Sequence, residues 1–291
     1  MTYLAIDIGG TTIQYGLITK DFKMQKSYSV PTPTVATDDQ FYAYLLAHAP
    51  QSPYQAVGIA VPGTVIDGTI VTKGSERVYP LFQSPIIAKL ETRFKKPVAA
   101  LNDAKAAGLC ELYLGAAKGS NSSACFIIGT AVGGALTYKD DLIFGHDGCA
   151  GEFSSVPIMM DDKLVSLAWI ASATALMEFY NEASGENVTE AKPVFTAYHA
   201  QDPIAIAVME RWISYIVVGL VQISSIYNPE VICIGGGVSQ DPSLVTLIEQ
   251  AYRNRIQAMF NHQVFTPKIV ACEYRNHANL YGAIAHLLKT I

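Results

Sequence analysis

The sequence predicts an α/β protein built from two lobes of related architecture. Hydrophobic residues make up 50% of the 291 residues and charged residues 15%, which gives ample apolar material for a core and is untypical of disordered or fibrous chains. Short apolar runs that end in glycine turns alternate with helical segments. A strand, a glycine-threonine turn and a second strand occur at 3–18 and again at 124–138. This weak internal repeat indicates the two lobes.

The first half of the chain alternates between strands and helices. Strands are expected at 3–8, 13–18, 24–30, 56–61 and 98–101, and helices at 38–49, 86–94 and 104–114. Pro62 and Gly63 stop the fourth of these strands, and Asn102 and Asp103 follow the fifth directly.

The second half begins as the first one does. Strands are expected at 124–128, 135–138 and 231–234, and helices at 164–182, 203–227 and 279–289. A glycine turn at 129–134 joins the first two strands, and Gly235, Gly236 and Gly237 follow the third. Because no low-complexity linker separates the halves, any hinge must be made from ordered segments.

The charge pattern argues against nucleic acid as a partner. The formal net charge is −5, and no cluster of Lys and Arg provides the basic surface that a duplex requires. The most apolar helical stretch, 212–227, is shorter than the roughly 20 residues that span a bilayer, so we expect a buried core helix and no membrane association.

The cysteines indicate a reducing compartment. There are five of them, scattered, and none forms a C-x-x-C pair, so neither a zinc site nor a redox motif is predicted. The odd number, together with a start that shows no secretory signal, favours a cytoplasmic protein.

The turn at 9–12 is a candidate phosphate-binding loop. Two glycines and two threonines offer backbone N–H groups without side-chain obstruction and two hydroxyls, although glycine pairs also make ordinary hairpin turns. Asp7 favours the phosphate interpretation, since a carboxylate at the end of a buried strand is costly unless it is hydrogen-bonded or holds hydrated Mg²⁺. P-loop, dinucleotide-binding and protein-kinase motifs are all absent from the sequence.

Six motifs in order resemble those of the ROK sugar kinases, which belong to the actin/hexokinase-like superfamily. They are Asp7 to Thr11, Ala60 to Gly63, Leu101 to Ala104, Ile128 to Gly134, Ala150 to Glu152 and Ile234 to Gly237. Leu280 to Ala283 is similar to the family's closing helix, so the resemblance covers essentially the whole chain. It implies a two-lobed actin-like ATPase (ribonuclease H-like) fold with a central cleft. The expected lobes are 1–103 completed by 276–291, and 104–275.

The resemblance also implies the site residues. Those expected to bind ATP are Asp7, Gly9, Gly10, Thr11, Thr12, Gly129, Thr130, Gly133, Gly235, Gly236 and Gly237, with Asp7 holding Mg²⁺ through water. Those expected to bind the sugar are Gly63, Asn102, Asp103 and Glu152, with Asp103 as the general base. Three alternatives are ordinary structural roles: a helix N-cap for Asn102 and Asp103, a surface position for Glu152, and a strand-to-helix turn for 235–237.

The sequence departs from the family pattern on one side of the sugar site. The family motif G-E-I-G-H is replaced by G-E-F-S-S, which places Ser155 at the position of the histidine. The segment 156–163 lacks the family's zinc-binding cysteines, so no zinc is expected, and Ala168 stands where a second sugar-binding glutamate is usual. We therefore expect a more open pocket at the anomeric carbon, which favours a glycoside or disaccharide, as in the family's zinc-less β-glucoside kinases.

The expected function is ATP-dependent phosphorylation of a sugar hydroxyl, the 6-hydroxyl of a hexose or glucoside, by direct in-line transfer. Lobe closure would exclude water from the reaction, and the resemblance implies a homodimer. One alternative is a sugar-binding or regulatory protein with weakened catalysis, given the lost motifs. A DNA-binding repressor of the family would carry a helix-turn-helix ahead of the first glycine turn, where this sequence has only a few residues. A chaperone-like ATPase would need a further domain, for which this length leaves no room. We therefore expect neither of these two functions.

Overall fold

The computed structural model describes residues 1–73, 75–160 and 162–291. The strands are β1 Thr2–Ile8, β2 Thr12–Thr19, β3 Met24–Pro31, β4 Val57–Val61, β5 Val65–Ile66, β6 Thr69–Ile70, β7 Val98–Asn102, β8 Ser122–Ile128, β9 Val132–Tyr138, β10 Asp141–Leu142, β11 Pro157–Met160, β12 Lys163–Ser166, β13 Val231–Gly236 and β14 Lys268–Ala271. The helices are α1 Asp38–Ala47, α2 Ile86–Phe94, α3 Asp103–Tyr113, α4 Ala168–Ala171, α5 Ala173–Ser184, α6 Lys192–His199, α7 Pro203–Ile226, α8 Pro242–Phe260 and α9 Ala278–Thr290.

The chain forms two compact units. Unit 1 comprises Met1–Leu114, Asp141–Ala150 and Asn276–Ile291, and unit 2 comprises Gly115–Asp140 and Gly151–Arg275.

The sheet of unit 1 has the strand order β3-β2-β1-β4-β7. The first three strands are antiparallel neighbours, whereas β1, β4 and β7 run parallel. Every residue of β4 and β7 is buried, as is typical of parallel strands covered on both faces. Register pairs Asp7 with Ala60, and Ala60 with Leu101, so the carboxyl ends of the three parallel strands meet at one edge of the sheet.

Helices α9 and α3 complete unit 1, and α9 packs closely on the sheet. A Cβ atom added to Gly58 of β4 would lie 2.5 Å from the Ala283 carbonyl oxygen, and one added to Gly282 would lie 1.8 Å from that of Ala106 in α3. Glycine is therefore required on β4 where it meets α9, and on α9 where it meets α3. This packing assigns α3 to unit 1, whereas the boundary expected from the sequence at residue 103 separates α3 from that lobe.

Unit 2 repeats the strand arrangement of unit 1. Strands β8 and β9 form an antiparallel hairpin, and β13 lies parallel to β8 on its other side, followed by the parallel strand β14. The order β9-β8-β13 in unit 2 thus corresponds to β2-β1-β4 in unit 1. The predicted fold class, a two-part α/β protein with an internal repeat, is confirmed.

The predicted helix at 164–182 is wrong in its first part. Lys163–Ser166 is instead strand β12, paired with β11 in a hairpin that the sequence did not predict. Ser172 has an extended backbone and caps α5 with its hydroxyl, which separates α4 from α5. The sequence pattern also missed helices α6 and α8.

Helix α7 is a core helix of unit 2. It has 24 residues, and it is the one helix among the described residues whose length and composition would allow a membrane span. The length argument made for 212–227 therefore does not apply to the whole helix. Trp212, Ile216 and Leu220 are nevertheless fully buried in the main cluster of unit 2, where α7 packs on α4, α5, α6 and α8.

Candidate active site

The glycine turn between β1 and β2 lies at the carboxyl edge of the unit 1 sheet. Gly9 N–H donates to the Thr12 carbonyl (3.0 Å), which closes the turn. Thr32 secures it from the side, because its hydroxyl donates to the Gly9 carbonyl (2.7 Å) and its N–H to the Thr11 carbonyl (2.9 Å). The side chains of Thr11 and Thr12 are exposed.

The backbone of this turn leaves no room for a side chain at Gly9. A Cβ atom on Gly9 would lie 2.8 Å from the Thr12 carbonyl oxygen, which is main chain, and one on Gly10 would lie 2.7 Å from the Ser75 hydroxyl oxygen, which can rotate away. Consecutive backbone amides and two exposed hydroxyls are the groups that a phosphate accepts from.

Asp7 is the buried acid of this edge. Its pKa is raised from the usual value of 3.8 to about 7, mainly because the group is buried and also because of the charge of Asp103, while a hydrogen bond from Asn279 lowers it. The Asn279 amide of α9 donates to Asp7 Oδ1 at 3.2 Å. A carboxylate held in such surroundings favours a positive ion beside it, and carboxylate oxygen is a ligand of hydrated Mg²⁺. The sequence missed Asn279, because 272 residues separate it from Asp7.

Asn102 and Asp103 form the start of α3. Asn102 is its N-cap: Oδ1 accepts from the Lys105 N–H (3.1 Å), while Nδ2 donates to the Gly63 carbonyl (3.2 Å). Asp103 Oδ1 accepts from the N–H of Ala104 (2.8 Å). The structural alternative considered from sequence, a helix cap, is therefore correct for Asn102. Its side chain also ties the end of β7 to the loop after β4.

Gly63 occupies a backbone conformation that side chains rarely adopt, with φ of +101°. A Cβ atom there would lie 2.9 Å from both the carbonyl and the hydroxyl oxygen of Thr72. The Thr72 hydroxyl also accepts from the Thr64 N–H at 2.6 Å. Gly63, Asn102 and Asp103 thus lie together in unit 1 beside the Asp7 turn.

In unit 2, the turn between β8 and β9 is fastened to the start of α5. Gly129 N–H donates to the Ala131 carbonyl (2.9 Å), and the Gly129 carbonyl accepts from Ala173 N–H (2.9 Å). The Thr174 hydroxyl donates to the Thr130 carbonyl (2.9 Å). Gly133 follows the turn on β9, paired with Ile127.

The glycines at 235–237 differ in their roles. A Cβ atom on Gly235 would lie 2.4 Å from the Ile127 side chain, and one on Gly236, whose φ is +83°, would lie 1.9 Å from the Ile128 carbonyl oxygen. The main chain of β8 therefore requires glycine at Gly236, whereas the Ile127 side chain could move away from a substituent at Gly235. Gly237 begins the 3-10 turn Gly237–Gln240, and a Cβ atom there would have no atom within 4 Å among the described residues other than its chain neighbours.

Glu152 precedes the 3-10 turn Phe153–Ser155 and is half-buried rather than on the open surface. Phe153 anchors this turn by stacking on Phe126 (ring centroids 5.6 Å apart), in the space that Gly134 leaves by lacking a Cβ. The Ser154 hydroxyl donates to the Val132 carbonyl (2.5 Å). Ser155, at the position of the family histidine, is exposed. Among the described residues, no group of three or more His, Cys, Asp and Glu is arranged to hold a metal ion.

Two solved structures resemble the chain along its length. A ROK family protein from Streptococcus pneumoniae TIGR4, determined in complex with sucrose, is 30% identical with a TM-score of 0.89, and the match covers 99% of this chain and 98% of that one. The ROK hexokinase from Thermus thermophilus is 25% identical with a TM-score of 0.83 and 99% coverage of both chains.

A β-glucoside kinase from Listeria innocua is 28% identical over 99% of this chain and 98% of its own. A glucokinase from Halalkalibacterium halodurans is 28% identical over 82% of this chain and 81% of its own. These relatives confirm the predicted enzyme class, a carbohydrate kinase. Residues 3–290 match the ROK family, and the chain belongs to it.

Proposed function

We propose that this protein uses ATP to phosphorylate a sugar, at the 6-hydroxyl of a hexose or glucoside, with Asp103 as the general base. The observation that carries the proposal is the carboxyl edge of the unit 1 sheet. There the charge of Asp103 acts on Asp7, which directly precedes the glycine turn, and Asn102 joins β7 to Gly63. An acceptor-binding carboxylate beside a phosphate-binding turn is what phosphoryl transfer to a hydroxyl requires.

Asp103 would accept the proton of the attacking hydroxyl. The sugar oxygen forms the new bond to the γ-phosphorus as the bond to the β-phosphate oxygen breaks, and ADP leaves. Gly63, Asn102 and Glu152 would position the sugar, Gly63 through its main chain. Fixing the acceptor in this way supplies the orientation that the reaction needs.

Both glycine turns would bind ATP. In unit 1 the residues are Gly9, Gly10, Thr11 and Thr12, and in unit 2 they are Gly129, Thr130, Gly133, Gly235, Gly236 and Gly237. Of the last three, Gly237 has the open surroundings that allow direct contact with a ligand. Mg²⁺ bound with ATP would neutralise charge on the phosphates, and Asp7 would hold its water shell.

The substrate that we infer carries a substituent at the anomeric oxygen. Ser155 and Ala168 stand where the family has larger sugar-contacting side chains. Two relatives support a substituted sugar, since one is named a β-glucoside kinase and the other was solved with sucrose.

We further propose a cytoplasmic location.

The test is an ADP-release assay on Asp103→Asn with glucose, N-acetylmannosamine, cellobiose, sucrose and an aryl β-glucoside. We expect sugar-dependent turnover to fall by at least about 100-fold, the usual contribution of a general base, with an unchanged melting temperature. Asp21→Asn, in the exposed turn after β2, is the matched control and should keep full activity. Near-normal turnover by Asp103→Asn would refute the assignment.

The second candidate is a sugar-binding protein without catalysis, favoured by the residues lost at 155 and 168. In that case the unaltered protein binds sugars in calorimetry but releases no ADP with any of them.

A further inference from the structure

Trp169 is an exposed aromatic residue in a concave part of unit 2. Its side chain is 69% exposed on the short helix α4, whereas the other tryptophan, Trp212, is fully buried in the core. Indole rings contribute much of the free energy when they are buried on ligand binding, so an exposed one in a cavity is a candidate contact residue.

The cavity beside Trp169 has a volume of about 490 Å³ and lies entirely within unit 2. Ala168 and Trp169 line it from α4, and Thr174 and Glu178 line it from the first turns of α5. Thr130 of the glycine turn lies at its border, held there by the hydrogen bond from Thr174.

Helix α4, which lines this cavity, is connected to the proposed sugar-binding segment by a short series of hydrogen bonds. The Ala168 N–H donates to the Ser166 hydroxyl (3.2 Å), and that hydroxyl donates in turn to the Ser154 carbonyl, two residues after Glu152. Helix α4 is therefore fixed relative to the Glu152 turn. Ala168, next to Trp169 in the lining, contributes only a methyl group there.

We propose that this cavity is a subsite for the second ring of a glycoside, with that ring stacked on Trp169. The inference rests on the proposed function, since it assigns the part of the substrate that is not phosphorylated. The C–H face of a pyranose and the face of an aryl ring both suit the indole. The Thr174 hydroxyl and the Glu178 carboxylate can form hydrogen bonds with sugar hydroxyls.

The charge of the lining favours a neutral ring over a phosphate chain. Glu178 is its one charged residue among those described, and it is acidic, so it would repel the triphosphate of a nucleotide. Aromatic, hydroxyl and carboxylate groups without a cation are the donor and acceptor set of a sugar ring.

The kinetic test compares substrates with one and two rings. In Trp169→Ala, we expect kcat/KM for cellobiose or an aryl β-glucoside to fall at least about tenfold, while that for glucose and the KM for ATP stay within about twofold. Trp169→Phe should recover part of the loss. Leu164→Ala is the matched control, because Leu164 is also 69% exposed but lies outside the cavity lining that the structure describes.

A second readout does not depend on turnover. Because the chain has two tryptophans and the other one is buried, cellobiose should change the fluorescence of the unaltered protein at the long wavelengths emitted by exposed tryptophan, and it should leave the fluorescence of Trp169→Phe unchanged.

An equal loss of kcat/KM for one-ring and two-ring sugars in Trp169→Ala would overturn the subsite. A rise in the KM for ATP alone would also overturn it, because the indole would then contact the nucleotide. If the unaltered protein releases no ADP with any sugar, the proposed function fails instead, and the fluorescence titration still tests the subsite.

Discussion

Asp7 and Asn102 each affect the stability of the fold and also have a proposed role in the active site. Asp7 is a buried carboxyl group whose pKa is raised to about 7, so its charged form opposes folding until a cation accompanies it. Asn102 uses Oδ1 to cap α3 and Nδ2 to hold the Gly63 loop. Substituting either residue therefore affects stability as well as activity, and the two effects must be measured separately.

Asp7→Asn should stabilise the metal-free protein at alkaline pH. The folded-state pKa of Asp7 lies above the unfolded value of about 3.9, so wild-type stability from this group is complete below pH 4 and is lost as the pH rises through 7. Asparagine does not titrate and still accepts from Asn279. We expect a gain in the free energy of unfolding on the order of 1–4 kcal/mol at pH 8, and little change near pH 4.

Urea unfolding with EDTA at pH 4.5, 6 and 8 measures this difference. Asp21→Asn, at an exposed turn, controls for a general charge effect. An equal stability difference at all three pH values would contradict the raised pKa. ATP turnover by Asp7→Asn should be lost even though the protein is more stable.

Helices α3 and α9 bring residues that are far apart in the chain into the same site. The pattern at 279–289 predicts a helix, and α9 confirms it, but nothing in that pattern shows that Gly282 faces the backbone of Ala106. This contact fixes both helices, one of which begins with Asp103 while the other carries Asn279 to Asp7. The close approach of the two helices therefore positions two groups of the proposed active site.

Gly282→Ala should destabilise unit 1. The added methyl group would collide with a main-chain carbonyl that cannot rotate away, and overpacking of this kind costs about 1–3 kcal/mol or more, beyond the small helix-propensity gain of alanine. Thermal unfolding followed by circular dichroism measures the loss. Gly237→Ala is the control: its Cβ would contact nothing within 4 Å, so its melting temperature should match the wild type, and an equal loss in both variants would contradict the packing argument.

The molecule repeats one arrangement, a hairpin followed by a parallel strand, in each of its two units. The turns of the two hairpins, at 9–12 and 129–131, carry Gly9, Gly10, Thr11, Thr12, Gly129 and Thr130, which are among the residues proposed to bind ATP. The match to the ROK family and the similarity to a β-glucoside kinase both extend over nearly the whole chain, so they include both copies of this arrangement. The repeat therefore explains why the two glycine motifs lie more than a hundred residues apart.

We propose that two copies of the chain associate as a homodimer. Sedimentation equilibrium should give twice the chain mass of 31.4 kDa at micromolar concentration, and the same with ATP and sugar present. A single species at the chain mass throughout would contradict the proposal.

The sequence by itself determined the fold class, the family and most of the strands, because buried parallel strands are continuous apolar runs and glycine turns interrupt them visibly. It also marked Asp7, Asn102 and Asp103, which stand where those runs end. Local patterns failed at the hairpin β11–β12 and at the break at Ser172, where a serine cap and strand pairing override a helical period.

Only the tertiary structure decided what these residues contact. The bond from Asn279 to Asp7, the bond from Asn102 to the Gly63 carbonyl and the cavity beside Trp169 join positions far apart in the chain. Burial and electrostatic coupling depend on distances in space, which periodicity along a chain does not encode. For the same reason the sequence showed that Ala168 departs from its family, while the structure showed which aromatic ring lies beside the space that alanine leaves.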